Sequence, residues 1–338
     1  MTHVRDGTGL RDGTGLRDSA HALMARGAWT ELSDLFDGRA DEVRSQPELA
    51  TMRGETYLHM GRPREGLEWL DQMLPVIERA GDRSALRRAV NIVGVAQFQL
   101  GELAAAAPCF ERAIELGRQD GDDLLIARAT NNLGAIANTR AQREQALGLY
   151  ARAVTAYQRI GNSKGLAESY HNMAITFRDI GDLVRADECE IRAIEFAREA
   201  NNPLLIAQAR LGRAEISFLN GDAPFAEVAA QRAAQDFASL TAPIHQADAL
   251  RLVGVAALAR RKLDLARESL DAALELAQAH GGALNEAEIL KARAEYFCVV
   301  GDRNAMRCDA RAAIAIFDRL SALHDRESLA DWLRRNDR

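Results

Sequence analysis

The chain has 338 residues, 47% of them hydrophobic and much of that Ala, which is enough apolar surface for a continuous core and favours helix. The formal net charge is −6, which argues against a general nucleic-acid binder with its basic stripe; Lys occurs only at Lys164, Lys262 and Lys291, and nearly all the positive charge is Arg. No apolar run reaches the roughly 18 residues that a membrane span needs, and no N-terminal signal segment is visible, so a cytoplasmic protein is expected.

Residues 1–18 stand apart. RDGTGL at 5–10 is followed at once by RDGTGL at 11–16. Closely spaced Gly with Asp and Thr neither holds a helix nor buries a core, so these residues are expected to form a disordered leader. No strand precedes the glycines, as a phosphate-cradling loop would require. Residues 19–46 read as one shorter, degenerate helix pair. Trp29, Leu32, Leu35 and Phe36 recur there at helical spacing, as in a capping unit at the end of an array.

From Pro47 a period of 40 residues holds to residue 324, giving seven units. Gly134 has small residues in register at Gly54, Gly94, Ala174, Ala214, Gly254 and Ala294; Ala153 has Ala113, Ala193, Ala233, Ala273 and Ala313. Each unit reads as two helices with turns at glycines such as Gly61, Gly101, Gly181, Gly221 and Gly301. Asp182, Asp222 and Asp302 follow such glycines and are placed to cap the second helix. Where the two helices cross, a small residue such as Gly134 is expected to face Ala146, because a larger side chain would push the helices apart. Ala141 and Arg261 replace the turn glycine in two units, and their turns are expected to differ in conformation. Residues 325–338 are expected to form a final capping helix with Leu329, Trp332 and Leu333 inward.

A fixed period of this length means a solenoid of stacked units, here all-α. The NNLGAIA of Asn131–Ala137, followed by Ala146, Tyr150 and Ala153, resembles the tetratricopeptide repeat. The usual repeat has 34 residues, so this is the longer variety, similar to the arrays of the LGN/Pins adaptors and of bacterial regulators of the MalT, AfsR and Rap types. The resemblance implies a right-handed superhelix of antiparallel helix pairs whose first helices line a concave groove. Carried over position by position, it implies groove residues Arg88, Asn91, Phe98, Arg128, Asn131, Asn138, His171, Arg178 and Arg251. Asn can hold the backbone of an extended peptide and Arg can take a carboxylate bidentately, so an acidic or carboxylate-bearing segment is the expected ligand. Asn132 and Asn172 lie one residue off the groove and are expected to bridge neighbouring units.

The seven histidines never stand at i, i+4 on one helix or beside a cysteine, so no metal site is expected. The four cysteines form no C-x-x-C pair and are expected as buried thiols. No G-x-S-x-G, G-K-[ST] or H-E-x-x-H motif occurs. The sequence therefore predicts a protein without cofactor or catalytic role that binds a protein or peptide partner, with no direct contact to nucleic acid or membrane. The alternative is a bacterial regulator whose array binds a signalling peptide or small ligand and sequesters a partner.

Overall fold

The computed structural model describes residues 13–337, and every regular element among them is a helix. The chain divides into two compact units, Met1–Leu100 and Gly101–Arg338. The first holds α1 (Gly13–Ala25), α2 (Trp29–Asp37), α3 (Ala40–Ser45), α4 (Pro47–His59), α5 (Pro63–Ala80) and α6 (Arg83–Gln99). The second begins with α7 (Leu103–Asp120), α8 (Asp123–Thr139), α9 (Arg143–Ile160), α10 (Ser163–Asp179), α11 (Leu183–Glu199) and α12 (Pro203–Leu219). It continues with α13 (Ala223–Ser239), α14 (Pro243–Ala259), α15 (Leu263–His280), α16 (Ala283–Val300), α17 (Arg303–Arg319) and α18 (Leu323–Asn336). None of the described helices is long and apolar enough to cross a membrane.

Residues 1–12 of the expected leader lie outside the described residues. Residues 13–18, assigned to it from sequence, belong instead to α1, where Leu16 and Ala20 are buried. The expected second helix of the capping pair is broken at Gly38 and Arg39 into α2 and α3. The final helix starts at Leu323 and buries Leu329, with Trp332 and Leu333 packed against the same core cluster. Of the four cysteines, Cys189 is buried, Cys109 and Cys298 are half-buried, and Cys308 is exposed.

The caps behave as their side chains dictate. Asp182, Asp222 and Asp302 accept from the backbone N–H of Arg185, Phe225 and Ala305 at 3.0, 3.1 and 3.0 Å. The turns at Ala141 and Arg261 do not change conformation. Both residues take the left-handed geometry of the glycine turns, with φ of 58° and 60°, and Thr241 does so at 52°. At Arg261 a neighbouring ion pair holds the turn. The buried Glu227 of α13 binds Arg260 at 3.0 Å and Lys262 at 2.6 Å, one on each side.

The crossing of the two helices in a unit works differently from a simple meeting of small residues. A methyl added at Gly134 would stand 2.6 Å from the ring of Tyr150, so it is Tyr150 that occupies the space the missing Cβ leaves. In the same register Leu70 lies on Gly54 and Leu270 on Gly254. These three large residues are 2% exposed or less. Neighbouring units are also tied by polar side chains. Ser169 donates to Asn131 at 3.0 Å, Asn172 to Asn131 at 3.4 Å, and Thr176 to Asn138 at 2.9 Å.

Two stability measurements follow. Gly134→Ala drives a methyl into Tyr150 and is expected to lower the unfolding free energy by about 1–3 kcal/mol. Thr241→Gly relieves a β-branched residue at positive φ and is expected to raise it by about 1 kcal/mol. Denaturant midpoints of the two variants, read against wild type, check both signs.

Candidate functional site: a polar cavity in the second unit

The second unit holds an open-sided cavity of about 610 Å³, walled by the first helices of successive repeats, α8, α10, α12, α14 and α16, and by the start of α18. Leu320, at the end of α17, lies against Gly101, where an added methyl would stand 2.2 Å from its side chain. The end of the unit thus touches its beginning.

Apolar residues form part of the lining: Ile175, Leu211, Phe218, Leu252 and Val255. The rest is a chain of ion pairs. Arg178 binds Glu215 and, at 3.4 Å, Asp179. Arg251 binds the other oxygen of Glu215 at 2.5 Å and Asp248 at 2.8 Å. Arg143 reaches Asp179 at 3.2 Å and the Asn138 side chain at 2.7 Å. Lys291 faces Glu288 at 3.4 Å. Every arginine of the cavity wall therefore already has a carboxylate.

His171 is the cationic group held in a different way. Its Nδ1–H donates to both oxygens of Glu190 at 3.0 Å. The Glu190 side chain is 1% exposed, whereas that of His171 is 19% exposed and lines the cavity. Burial opposes charge on both groups. At His171 the facing carboxylate outweighs burial and holds the imidazole above its ordinary pKa. At Glu190 burial outweighs the imidazole and raises the carboxyl. His245 is the opposite case: burial lowers its pKa, the amide of Gln208 lies 2.5 Å from its Nε2, and its ring stacks on Phe237 at 5.4 Å.

The residues expected to form the groove fall into three groups. Asn138, His171, Arg178 and Arg251 line the cavity. Asn131 is buried among its hydrogen bonds to the next repeat, and Arg128 is exposed, with its charge acting on Glu168. Arg88, Asn91 and Phe98 belong to the first unit. There Arg88 binds Glu55 at 2.5 Å and approaches the sulfur of Met24 at 3.3 Å. Burial would raise Glu55, but hydrogen bonds from His59 and Arg88 and their charges bring it down to about 2. Asn91 and Phe98 are half-buried.

Glu190 was not singled out from sequence, although its register marks it. Position 190 matches Leu70, Phe110, Tyr150 and Leu270, the large residues of the core. A carboxylate there breaks the apolar pattern.

The Glu190–His171 pair sets a pH dependence. Both groups bind protons more tightly in the folded chain than in the unfolded one, so their contribution to stability falls as pH rises. It is complete below about pH 4.5 and is lost as pH climbs past 6.5 through the folded pKa of His171. The double variant His171→Leu, Glu190→Leu should show a flatter fall of Tm across this range than wild type. Thermal unfolding of both proteins in parallel, pH by pH, makes the comparison.

Residues 88–120 and 125–199 match family models of the tetratricopeptide repeat. No curated protein matches the chain. Among solved structures, a Rap protein complexed with Competence and Sporulation Factor superposes over 96% of this chain and 97% of its own, with 14% identity and a TM-score of 0.64. Aspartyl phosphate phosphatase F from Bacillus subtilis covers 98% and 95%, at 13% identity and a TM-score of 0.58. The apo form of the quorum sensor NprR from B. thuringiensis covers 96% and 98%, at 11% identity and a TM-score of 0.55. Residues 88–120 and 125–199 therefore carry tetratricopeptide repeats, and the chain shares its fold with the Rap proteins.

Proposed function

We propose that the chain is a binding protein without catalytic role, and that the cavity of its second unit takes up a segment of a protein or peptide. One observation carries this reading. Beside its apolar residues, the cavity wall carries polar side chains whose chemistry changes from repeat to repeat. His171, Arg251 and Lys291 share one register and differ in chemistry, over a frame of small residues that stays nearly constant. A surface built this way is free to suit a partner while the core remains intact. The cavity lies within the size range of pre-formed ligand sites, roughly 300–1,000 Å³.

The wall suits a peptide better than a nucleic acid. Arg143, Arg178 and Arg251 are neutralised in place, so they present no basic track for a phosphate backbone. Side chains of both signs, together with Asn138 and Gln208, can meet the N–H and C=O groups of an extended chain. The segment we propose bears a carboxylate, which can exchange with Glu215 at the arginines or meet His171. A regulatory role is the second reading, favoured by the Leu320–Gly101 contact. Leu320 meets Gly101 there, so a ligand that spreads the wall would part that contact. The naming of one neighbour as a quorum sensor, and the Competence and Sporulation Factor bound to another, agree with this second reading.

Filling the cavity tests the proposal. Ile175→Trp and Val255→Trp place bulk inside it, and Val228→Trp places the same bulk on an exposed site, where Val228 is 63% exposed. Partners captured from the source cell by wild type should be lost to the first two variants and kept by the third. Undiminished capture by folded Ile175→Trp and Val255→Trp would refute cavity binding.

A further inference from the structure

Three departures from the repeat meet at one point. Glu190 is the carboxylate in a register that elsewhere holds Leu70, Phe110, Tyr150, Ala230, Leu270 and Ala310. Gly212 is the glycine in a register that elsewhere holds Met52, Ile92, Asn132, Asn172, Leu252 and Ala292. His171 stands in the register of Asn91, Asn131 and Arg251. In space they are one construction. A methyl on Gly212 would lie 2.0 Å from Oε1 of Glu190, so only glycine leaves the carboxylate its place. From that place, on the second helix of its unit, Glu190 reaches through to the ring of His171 at the cavity.

The arrangement dictates what the imidazole offers. A carboxylate can only accept, so Nδ1 must carry the proton that Glu190 receives. No described residue meets Nε2, and His171 lines the cavity. When the ring is protonated, Nε2–H is a charge-assisted donor without a partner among the described residues. The arginines around it are already engaged. A buried carboxylate beneath one ring is also an unfavourable choice for packing alone, since apolar replacements of buried ion pairs are often neutral or stabilising.

We propose that His171, positioned by Glu190 in the room left by Gly212, is the donor in the cavity that reads a carboxylate of the bound ligand, and that binding is thereby coupled to protonation of His171. The inference rests on the cavity being a peptide site and adds to it the ligand group and the proton. Every element packed about His171 bears on its charge. Its own helix supplies Arg178, α11 supplies Glu190, and α14 supplies Asp248 and His245. α12 brings Glu215 and α9 brings Arg143 to the same cavity, the first held by Arg178 and Arg251 and the second by Asp179. The Glu190 carboxylate outweighs burial and Arg178, so His171 keeps its proton above the ordinary imidazole range. Ligand preference should therefore persist at neutral pH and fade only as pH rises through that value.

The probe is a pool of C-terminally amidated, N-acetylated pentapeptides, randomised without acidic residues except for one Asp, set against the same pool with Asn in place of Asp. Peptides retained by the full chain are measured at about pH 6 and about pH 9. Wild type should retain the Asp pool about tenfold better at the lower pH, with the preference shrinking at the higher. The variant His171→Leu, Glu190→Leu restores an apolar register and removes the donor. It should stay folded by circular dichroism and lose the preference at both pH values. Glu190→Gln should retain a donor but move the loss of preference to lower pH, a shift that a merely structural role for Glu190 does not produce. Equal retention of the two pools, or a preference that survives in the double variant, overturns the role of His171 and leaves cavity binding standing. Retention of neither pool overturns both.

Discussion

The structure depends on how closely two helices of a unit can approach. At Gly54, Gly134 and Gly254 the absent Cβ is filled by Leu70, Tyr150 and Leu270 of the second helix. Each large residue is thereby sealed between backbone and neighbour. Interiors are packed like organic crystals, so an added methyl has nowhere to go. This contact sets the spacing within a unit, and the spacing repeats because the register repeats. The cavity wall follows from it: residues one turn away from the crossing face inward, some of them, such as Leu211 and Asn131, packed between repeats and others, such as His171 and Arg251, lining the cavity.

The one register position that departs in kind is Glu190. Its unit has Ala174 at the crossing, and its long side chain turns away to His171 and Gly212. A site thus arises from the packing device itself, since the position that elsewhere carries the core here carries a buried charge. The same logic explains the turn at Arg261. Glu227 is buried beside it and binds the residues on either side, which ties down a left-handed turn that Ala141 and Thr241 also adopt without glycine.

Much of this was legible in the sequence. Helix ends followed from Gly, Pro and Asp, whose backbone and capping preferences act within a few residues. The array followed from the period, because a unit that cannot bury its own apolar face must stack on the next. The cavity was legible only in part. Asn138, His171, Arg178 and Arg251 were found by register, but Arg143, His245, His324 and Asp325 were not, because they come from second helices, helix starts and the final helix. The register also names both Asn131 and His171, without saying that Ser169 and Asn172 draw the first into the core while Glu190 holds the second at the cavity.

What the sequence by itself determined is the order of the repeat helices, the turns between them and their repetition, since these depend on interactions between residues near in the chain or separated by one period. Tertiary structure alone decided which charges are already paired, where the end of the second unit meets its beginning, and what stands behind each polar side chain. Glu215 lies 37 residues from Arg178 and 36 from Arg251, yet it joins them. Leu320 closes on Gly101 across the whole second unit. Coulomb attraction and packing act over ångströms of space, so a charge legible as free in the sequence became bound once the helices were stacked.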